Sequence, residues 1–475
     1  MNSRFVLLLF SILLVTPCSA DAAVIPVFQS SLTSSWAGYL TVWIFLFAYA
    51  LAMLEDWTLL RKSKPMVFAA SLIWIVIGYV YSKEGLGVEA GNAFRKCLEN
   101  YGELFLFIMV SMTYLNAMEQ RGVFDNLRSW LLSRGYGYRQ LFWITGLLSF
   151  ALSSFCTNLT TALLMGTVVL SIAGGNKRFI SIACVNIVVA TNAGGSFSPF
   201  GDITTLLVWQ RGVVPFGHFF SLFLPAVVNF VVPASIMHFW IPKHDAPPME
   251  EVMPMPRGSW GILILFILTI LTAVFLDVFL DMPPAAGMLA GLSYLSFYFF
   301  YLYKTNKETS ISPLDDLHEL AEESDEQKAY FDVFHNVARL EWDTLLYFYG
   351  VLLSLGGLSF IGYMSLASRY VYSGFDPTIA NILIGLLSAI IDNGTIMYAV
   401  IAMDPNLPEG QWLLVTLAAG VGGSLLAIGS AAGVGLLGLS QGSYTYKVHM
   451  KWTPVILLGY VASVATHLLI NTASF

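Results

Sequence analysis

The chain has 475 residues, of which 57% are hydrophobic and only 11% charged, too little polar surface to solvate the exterior of a globular protein. That excludes an ordinary soluble fold and points to an all-α polytopic membrane protein. The formal charge of -7 carries no nucleic-acid signal, because much of the acid lies in one loop. Four cysteines, at 18, 97, 156 and 184, show neither a disulfide framework nor a zinc spacing. No phosphate loop or nucleotide fingerprint is present, so no catalytic residue or cofactor is assigned.

In chain order, residues 1–20 carry Arg4, a short apolar run and then Pro17-Cys18-Ser19-Ala20, the pattern of a cleavable signal peptide; an uncleaved anchor is the alternative. N-terminal transmembrane helices follow over 21–102. Candidate crossings fall at 36–54, 65–82, 103–118, 179–209, 218–241, 259–280, 284–303, 342–364, 411–442 and 452–471. Segments 141–174 and 379–403 are also apolar but are interrupted at their centres by Thr157-Asn158 and Asp392-Asn393. They read as re-entrant hairpins with polar tips buried in protein. Paired full spans would leave the loop sides unchanged.

The run at 179–209 would be about 46 Å of continuous helix at 1.5 Å per residue, too long for one upright crossing. Its centre, 192–205, reads N-A-G-G-S-F-S-P-F-G-D-I-T-T, where three glycines and Pro199 oppose helix and bring Asp202 to membrane depth. Such a break frees backbone carbonyls and exposes a half-helix N-terminus, the device by which transporters build ion sites. A plain Gly/Pro kink has no use for a buried carboxylate.

The break has a counterpart. G-G-S-L-L-A-I-G-S at 422–430 matches 194–202 at an offset of 228, and L-S-A-I-I-D-N-G-T at 387–395 matches L-S-S-F-C-T-N-L-T at 152–160 at an offset of 235. Each half therefore holds an Asn-x-Thr hairpin tip followed by a Gly-Gly-Ser break: repeat 1 over 103–241 and repeat 2 over 342–475, joined by linking helices and an acidic cytoplasmic loop within 242–341. An odd number of crossings separates the repeats, so they enter the membrane from opposite sides as inverted repeats. With the mature N-terminus outside, seventeen Lys and Arg fall in inner loops and five in outer ones, the bias expected of a bacterial-type inner membrane protein with a periplasmic N-terminus. The loop at 304–341 carries seven Asp and Glu between 315 and 326, then Tyr330, Phe331, Val333, Phe334 and Val337 as one face of an interfacial helix. It reads as a solvated linker.

Asp202 and Asp392 are the acids at the repeat centres. Asp202 aligns with Ser430 and Thr157 with Asp392, so each pair of equivalent positions supplies one carboxylate. Asn158, Thr160, Asn192, Ser196, Thr204, Thr205, Asn393, Thr395, Ser424 and Ser430 surround them. These are hard oxygen ligands suited to a small dehydrated cation such as Na⁺. A carboxylate taken out of water without a positive partner holds its proton more tightly and can trade it for a cation. That is the chemistry of a cation/proton antiporter. His218, His244, His318, His335 and His449 fall in or beside loops, while His238 and His467 lie in spans; His467 is a candidate pH sensor.

E-L-F-L-F at 103–107, M-T-Y-L-N-A-M at 112–118, R-G-V-F-D at 121–125, G-G-S-F-S-P-F-G-D-I-T-T-L-L-V-W-Q from Gly194, G-Q-W-L-L-V-T-L-A-A-G-V-G-G-S from Gly410 and K-W-T-P from Lys451 stand out along the chain. On these motifs it resembles the NhaD-type sodium/proton antiporters of the ion transporter superfamily. It implies two inverted repeats with hairpins, a homodimer in the lipid bilayer, and exchange of external H⁺ for internal Na⁺ or Li⁺. The family's hairpin tips commonly carry Asp-Asn. Here Thr157 replaces the first acid and Gly394-Thr395 stands where a proline is usual, which bears on proton stoichiometry. Thr157-Asn158 approaches the Ser-Asn-Thr tips of carboxylate transporters in the same superfamily, so a sodium-coupled anion transporter is the alternative. An intramembrane aspartyl protease using Asp202 and Asp392 is remote, because the residues preceding each acid do not resemble that family's motifs.

Overall fold

The structure is a computed structural model describing residues 32–243, 255, 257–307 and 332–475. The expected signal peptide and most of the acidic loop lie outside the described residues. What is described is helical and without strands, and nine helices are long and apolar enough to cross a membrane.

Three long helices come first: α1 (Trp36–Met53), α2 (Ser63–Lys83) and α3 (Gly87–Gln120). The span expected at 103–118 is only the second half of α3, which runs 34 residues. Glu89, Arg95, Lys96 and Glu99 look like loop composition, yet charge does not stop a helix where no proline intervenes. After α4 (Val123–Ser133) comes a helical hairpin, α5 (Tyr138–Leu152) and α6 (Asn158–Ile172). Thr157 caps α6 by accepting from Thr160 N.

The long run at 179–209 is not one helix. It divides into α7 (Lys177–Gly195) and α8 (Ile203–Gln210), separated by seven irregular residues, and α9 (Phe223–His238) follows. Next come α10 (Ser259–Leu280) and α11 (Pro284–Lys307), whose packing partners are mainly each other and α3. Trp260, Ile264, Ile267, Leu271 and Phe275 of α10 are exposed, a surface that lipid can cover. The short α12 (Val333–Ala338) lies on the end of α3, where Asn336 Nδ2 donates to Gln120 Oε1 at 3.1 Å. This corrects the expected interfacial face: Val333 is buried while Phe334 is exposed, and Tyr330 and Phe331 lie outside the described residues.

The second half comprises α13 (Trp342–Phe360), the short helices α14 (Pro377–Leu387) and α15 (Asn393–Met403), then α16 (Glu409–Gly422), α17 (Ala431–Leu439) and α18 (Tyr446–Ile470). At 11 residues each, α14 and α15 extend only about 16 Å, roughly half a hydrocarbon core. The apolar run at 411–442 is broken like its counterpart, and α18 begins at Tyr446, six residues before the expected span.

The same local structure occurs twice. Ser153 Oγ donates to Thr191 O at 2.7 Å and Ser388 Oγ to Ala419 O at 2.8 Å, at the two offsets read from the sequence. Gly194 lies against the Phe150 backbone and Gly422 against that of Gly385, each so close that a Cβ would collide with a carbonyl oxygen. Asp202 and Ser430 cap α8 and α17 with nearly identical backbone angles, φ/ψ -140/151 and -142/150. α7 is buried along almost its whole length, as is α16. These two interrupted helices form the centre, α7 backed by α5 and α16 by α14. The half-helices after the breaks cross over: α8 packs on α15, and α17 on α6.

Candidate cation site

The crossing of α8 with α15 brings the two acids together. Asp202 is 7% exposed. Its Oδ1 accepts from Ile203 N at 2.7 Å; its Oδ2 accepts from Thr204 Oγ1 at 3.1 Å and from Asn393 Nδ2 at 2.8 Å. Asn393 is the neighbour of Asp392 and spends its own Oδ1 on Gly394 N at 2.9 Å. Asp392 is half-buried. Its Oδ2 accepts from Thr395 N and Thr395 Oγ1, both at 3.3 Å. The sequence assigned one carboxylate to each pair of equivalent positions; the crossed packing puts both at one junction. At the far ends of the same two helices Arg211 pairs with Asp404 at 3.0 Å, so α8 and α15 run side by side in the same direction. That exposed pair fixes register more than it adds stability.

Neither acid forms an ion pair among the described residues, so their partners are hydroxyls, amides and helix N-termini. Two half-helix N-termini meet here, each with a carboxylate at its cap. The partial positive charge of those ends favours negative charge at the caps, and with no basic side chain paired to either acid a small cation suits the junction. Among the described residues no three His, Cys, Asp or Glu side chains converge, leaving oxygen as the donor chemistry.

The second crossing, α6 with α17, is neutral. Gly435 lies near Leu159 and Leu163, and Gly166 near Leu436 and Leu439, so these helices also run parallel. Their caps are Thr157, whose Oγ1 lies 2.9 Å from Thr160 Oγ1, and Ser430, which accepts from Gly433 N at 3.4 Å. Asn158 Nδ2 donates to Asn192 Oδ1 at 3.2 Å within its own repeat, and the buried Nδ2 of Asn192 has no partner.

The remaining expected residues hold the breaks. Ser196 Oγ donates to Asn192 O at 2.7 Å, Thr205 Oγ1 to Ser198 O and Asp202 O at 2.8 Å, and Ser424 Oγ to Val421 O at 2.6 Å. Gly420 of α16 lies against Ser196 and Thr204, so the two interrupted helices touch beside Asp202.

Three side chains join these groups without having been expected. Tyr347 of α13 places its hydroxyl 2.9 Å from Thr395 Oγ1. Thr453 donates to Leu425 O at 2.8 Å. His449, read as a loop residue, is fully buried in α18; its Nε2 lies 2.9 Å from Ser424 O and its Nδ1 2.6 Å from Tyr444 Oη. The early start of α18 is what turns His449 into the second break. His467 is also buried, with Nε2 3.1 Å from Gly410 O.

Comparison with known proteins decides the family. The family model described as citrate transporter matches residues 39–420. The Na(+)/H(+) antiporter NhaD of Halomonas elongata is 50% identical over 475 residues, covering 99% of this chain and 95% of that one. The chain belongs to the NhaD antiporter family. The NhaD protein of Vibrio cholerae is 49% identical over 447 residues, 93% of this chain and 94% of its own. At greater distance, sodium/proton antiporter 1 of Arabidopsis thaliana is 27% identical over 450 residues, 91% of this chain and 72% of its own. At 99% coverage, the match to the Halomonas elongata protein takes in the N-terminal helices and both breaks.

Proposed function

We propose that this protein is a secondary transporter exchanging Na⁺ or Li⁺ for H⁺, and that Asp202 and Asp392 carry the exchanged charge. The observation that carries the reading is the contact between Asn393 and Asp202: it joins two acids from different halves in one oxygen-lined junction without a basic partner, in a chain half identical to NhaD antiporters over nearly its full length. A cation at the junction offsets one of the two negative charges while Thr204, Thr395 and nearby carbonyls replace its water; when it leaves, protons bound to the carboxylates take over that charge. The two states exclude one another because one buried site cannot hold both charges, and that exclusion is the coupling. The halves act as inverted repeats in the inner membrane with the N-terminus periplasmic, and the exchanger works as a homodimer; the Lys/Arg distribution supports the orientation.

The test uses everted membrane vesicles with a preformed pH gradient read by a quenched dye. Na⁺ or Li⁺ collapses the gradient when the protein is present, with K⁺ as the comparison cation. No response to either ion across the pH range over which the vesicles hold a gradient, with the protein verified in the membrane, sinks the proposal.

One observation favours a second reading, sodium-coupled transport of an organic anion. The neutral crossing presents two half-helix N-termini with uncharged caps and a buried, unpartnered amide donor on Asn192, features that favour a carboxylate. The matching family model is described as citrate transporter. Na⁺-driven uptake of labelled citrate, without proton exchange in its absence, would establish that reading in place of antiport.

A further inference from the structure

We propose that the cation site at Asp392 is completed from outside both repeats: the hydroxyl of Tyr49, on α1, is an oxygen ligand of the transported ion. The inference rests on the antiport reading of Asp392. Tyr49 is 8% exposed, and its Oη is buried without a hydrogen-bond partner. It lies beside Asp392, Tyr347 and Thr395. Those three are already connected to one another: Tyr347 Oη lies 2.9 Å from Thr395 Oγ1, which donates to Asp392 Oδ2 at 3.3 Å. Tyr49 thus faces three oxygen-bearing groups without a well-formed hydrogen bond to any of them.

A buried hydroxyl left unpaired costs about 1–3 kcal/mol, and a ligand beside Asp392 would recover that cost. Neighbouring hydroxyls and a carboxylate are the donors that a small hard cation takes. The surroundings hold these groups in place. Lys62, which caps α2, stacks its ammonium 4.7 Å from the centroid of the Tyr347 ring, fixing the plane of that ring. α1 packs on α2 and α2 on α13, while Tyr363 Oη donates to Thr33 O at 2.7 Å, tying down the chain just before α1. The N-terminal helices therefore do more than pad the repeats: one of them reaches the ion, so binding ties α1 to the half-helix α15.

The experiment compares the unmodified full-length protein with Tyr49→Phe, Tyr49→Leu and Asp392→Asn. Thermal unfolding in detergent is followed against NaCl, with choline chloride holding ionic strength constant, and exchange is measured in everted vesicles. Tyr49→Phe is expected to leave stability without Na⁺ unchanged or slightly higher. It should raise the Na⁺ concentration for half-maximal stabilisation and half-maximal exchange by about 5- to 10-fold, the worth of one lost polar contact. Tyr49→Leu should show the same shift if the hydroxyl, and not the ring, is responsible. Lower stability without Na⁺ but an unchanged half-saturation would make Tyr49 a structural residue and overturn the inference. If Asp392→Asn abolishes the Na⁺ response while neither Tyr49 variant moves it, the antiport reading stands and the Tyr49 ligand falls. If Asp392→Asn keeps the unmodified half-saturation, the antiport reading of Asp392 itself fails.

Discussion

Asn393 and Asn158 occupy equivalent positions, yet they do different things. Asn393 donates to a carboxylate of the other half, whereas Asn158 donates to the neutral amide of Asn192 in its own. A hydrogen bond to a charged group contributes about 1.5–3 kcal/mol and a neutral one nearer 1. Asn393→Ala should therefore raise the half-saturation for Na⁺ roughly 10-fold or more, and Asn158→Ala only a few-fold. Equal shifts in the two variants would show that the contact with Asp202 has no special weight. Both asparagines were legible because an acid or amide in an apolar segment must have a reason to be there. Tyr49 and Tyr347 were not legible: a tyrosine in an apolar helix is ordinary, and nothing in the spacing between 49, 347 and 395 links them. The fate of the two acids was legible only in part. Internal alignment identified equivalent positions, but which half each acid faces depends on the crossed packing of α8 and α17.

The breaks are built on close backbone approach, which makes their glycines the least replaceable residues of these elements. Gly194→Ala and Gly422→Ala would drive a methyl group into the carbonyl of Phe150 or Gly385, and each should destabilise the protein by about 1–3 kcal/mol. Gly438, in α17, has open space where its Cβ would be. Gly438→Ala should be neutral or mildly stabilising. Thermal unfolding of the three purified variants checks the pattern, and equal stability throughout would mean that the helices do not meet as closely as described. The first break was readable because glycine, proline and a carboxylate coincide in an otherwise apolar run, and the second because its Gly-Gly-Ser repeats the first at a constant offset. The ends of α3 and α18 were not, because charged residues mark the edge of an apolar segment and not the end of a helix. That misreading removed His449 from the second break, whose carbonyl at Ser424 it meets.

At the scale of the molecule, the two crossings share a backbone but not a charge. One holds Asp202 and Asp392; the other has Thr157 and Ser430 at the corresponding caps. Thr157→Asp would place a carboxylate at the cap of α6, in the crossing with α17. If that crossing also takes part in transport, each cycle carries more protons per Na⁺ and depends more steeply on membrane potential. Reconstituted transport with the potential clamped at several values measures this, and an identical dependence in two active proteins would show that the neutral crossing is outside the coupling.

The central claim is that one pair of acids, drawn from both halves, binds either the cation or protons. Proton release on Na⁺ binding tests it most directly, by calorimetry of the purified protein in two buffers of different ionisation enthalpy, with the Asp202→Asn, Asp392→Asn double variant alongside. The account predicts that Na⁺ binding to the unmodified protein releases protons and that the double variant neither binds Na⁺ nor releases any. Na⁺ binding with undiminished proton release in the double variant would contradict it.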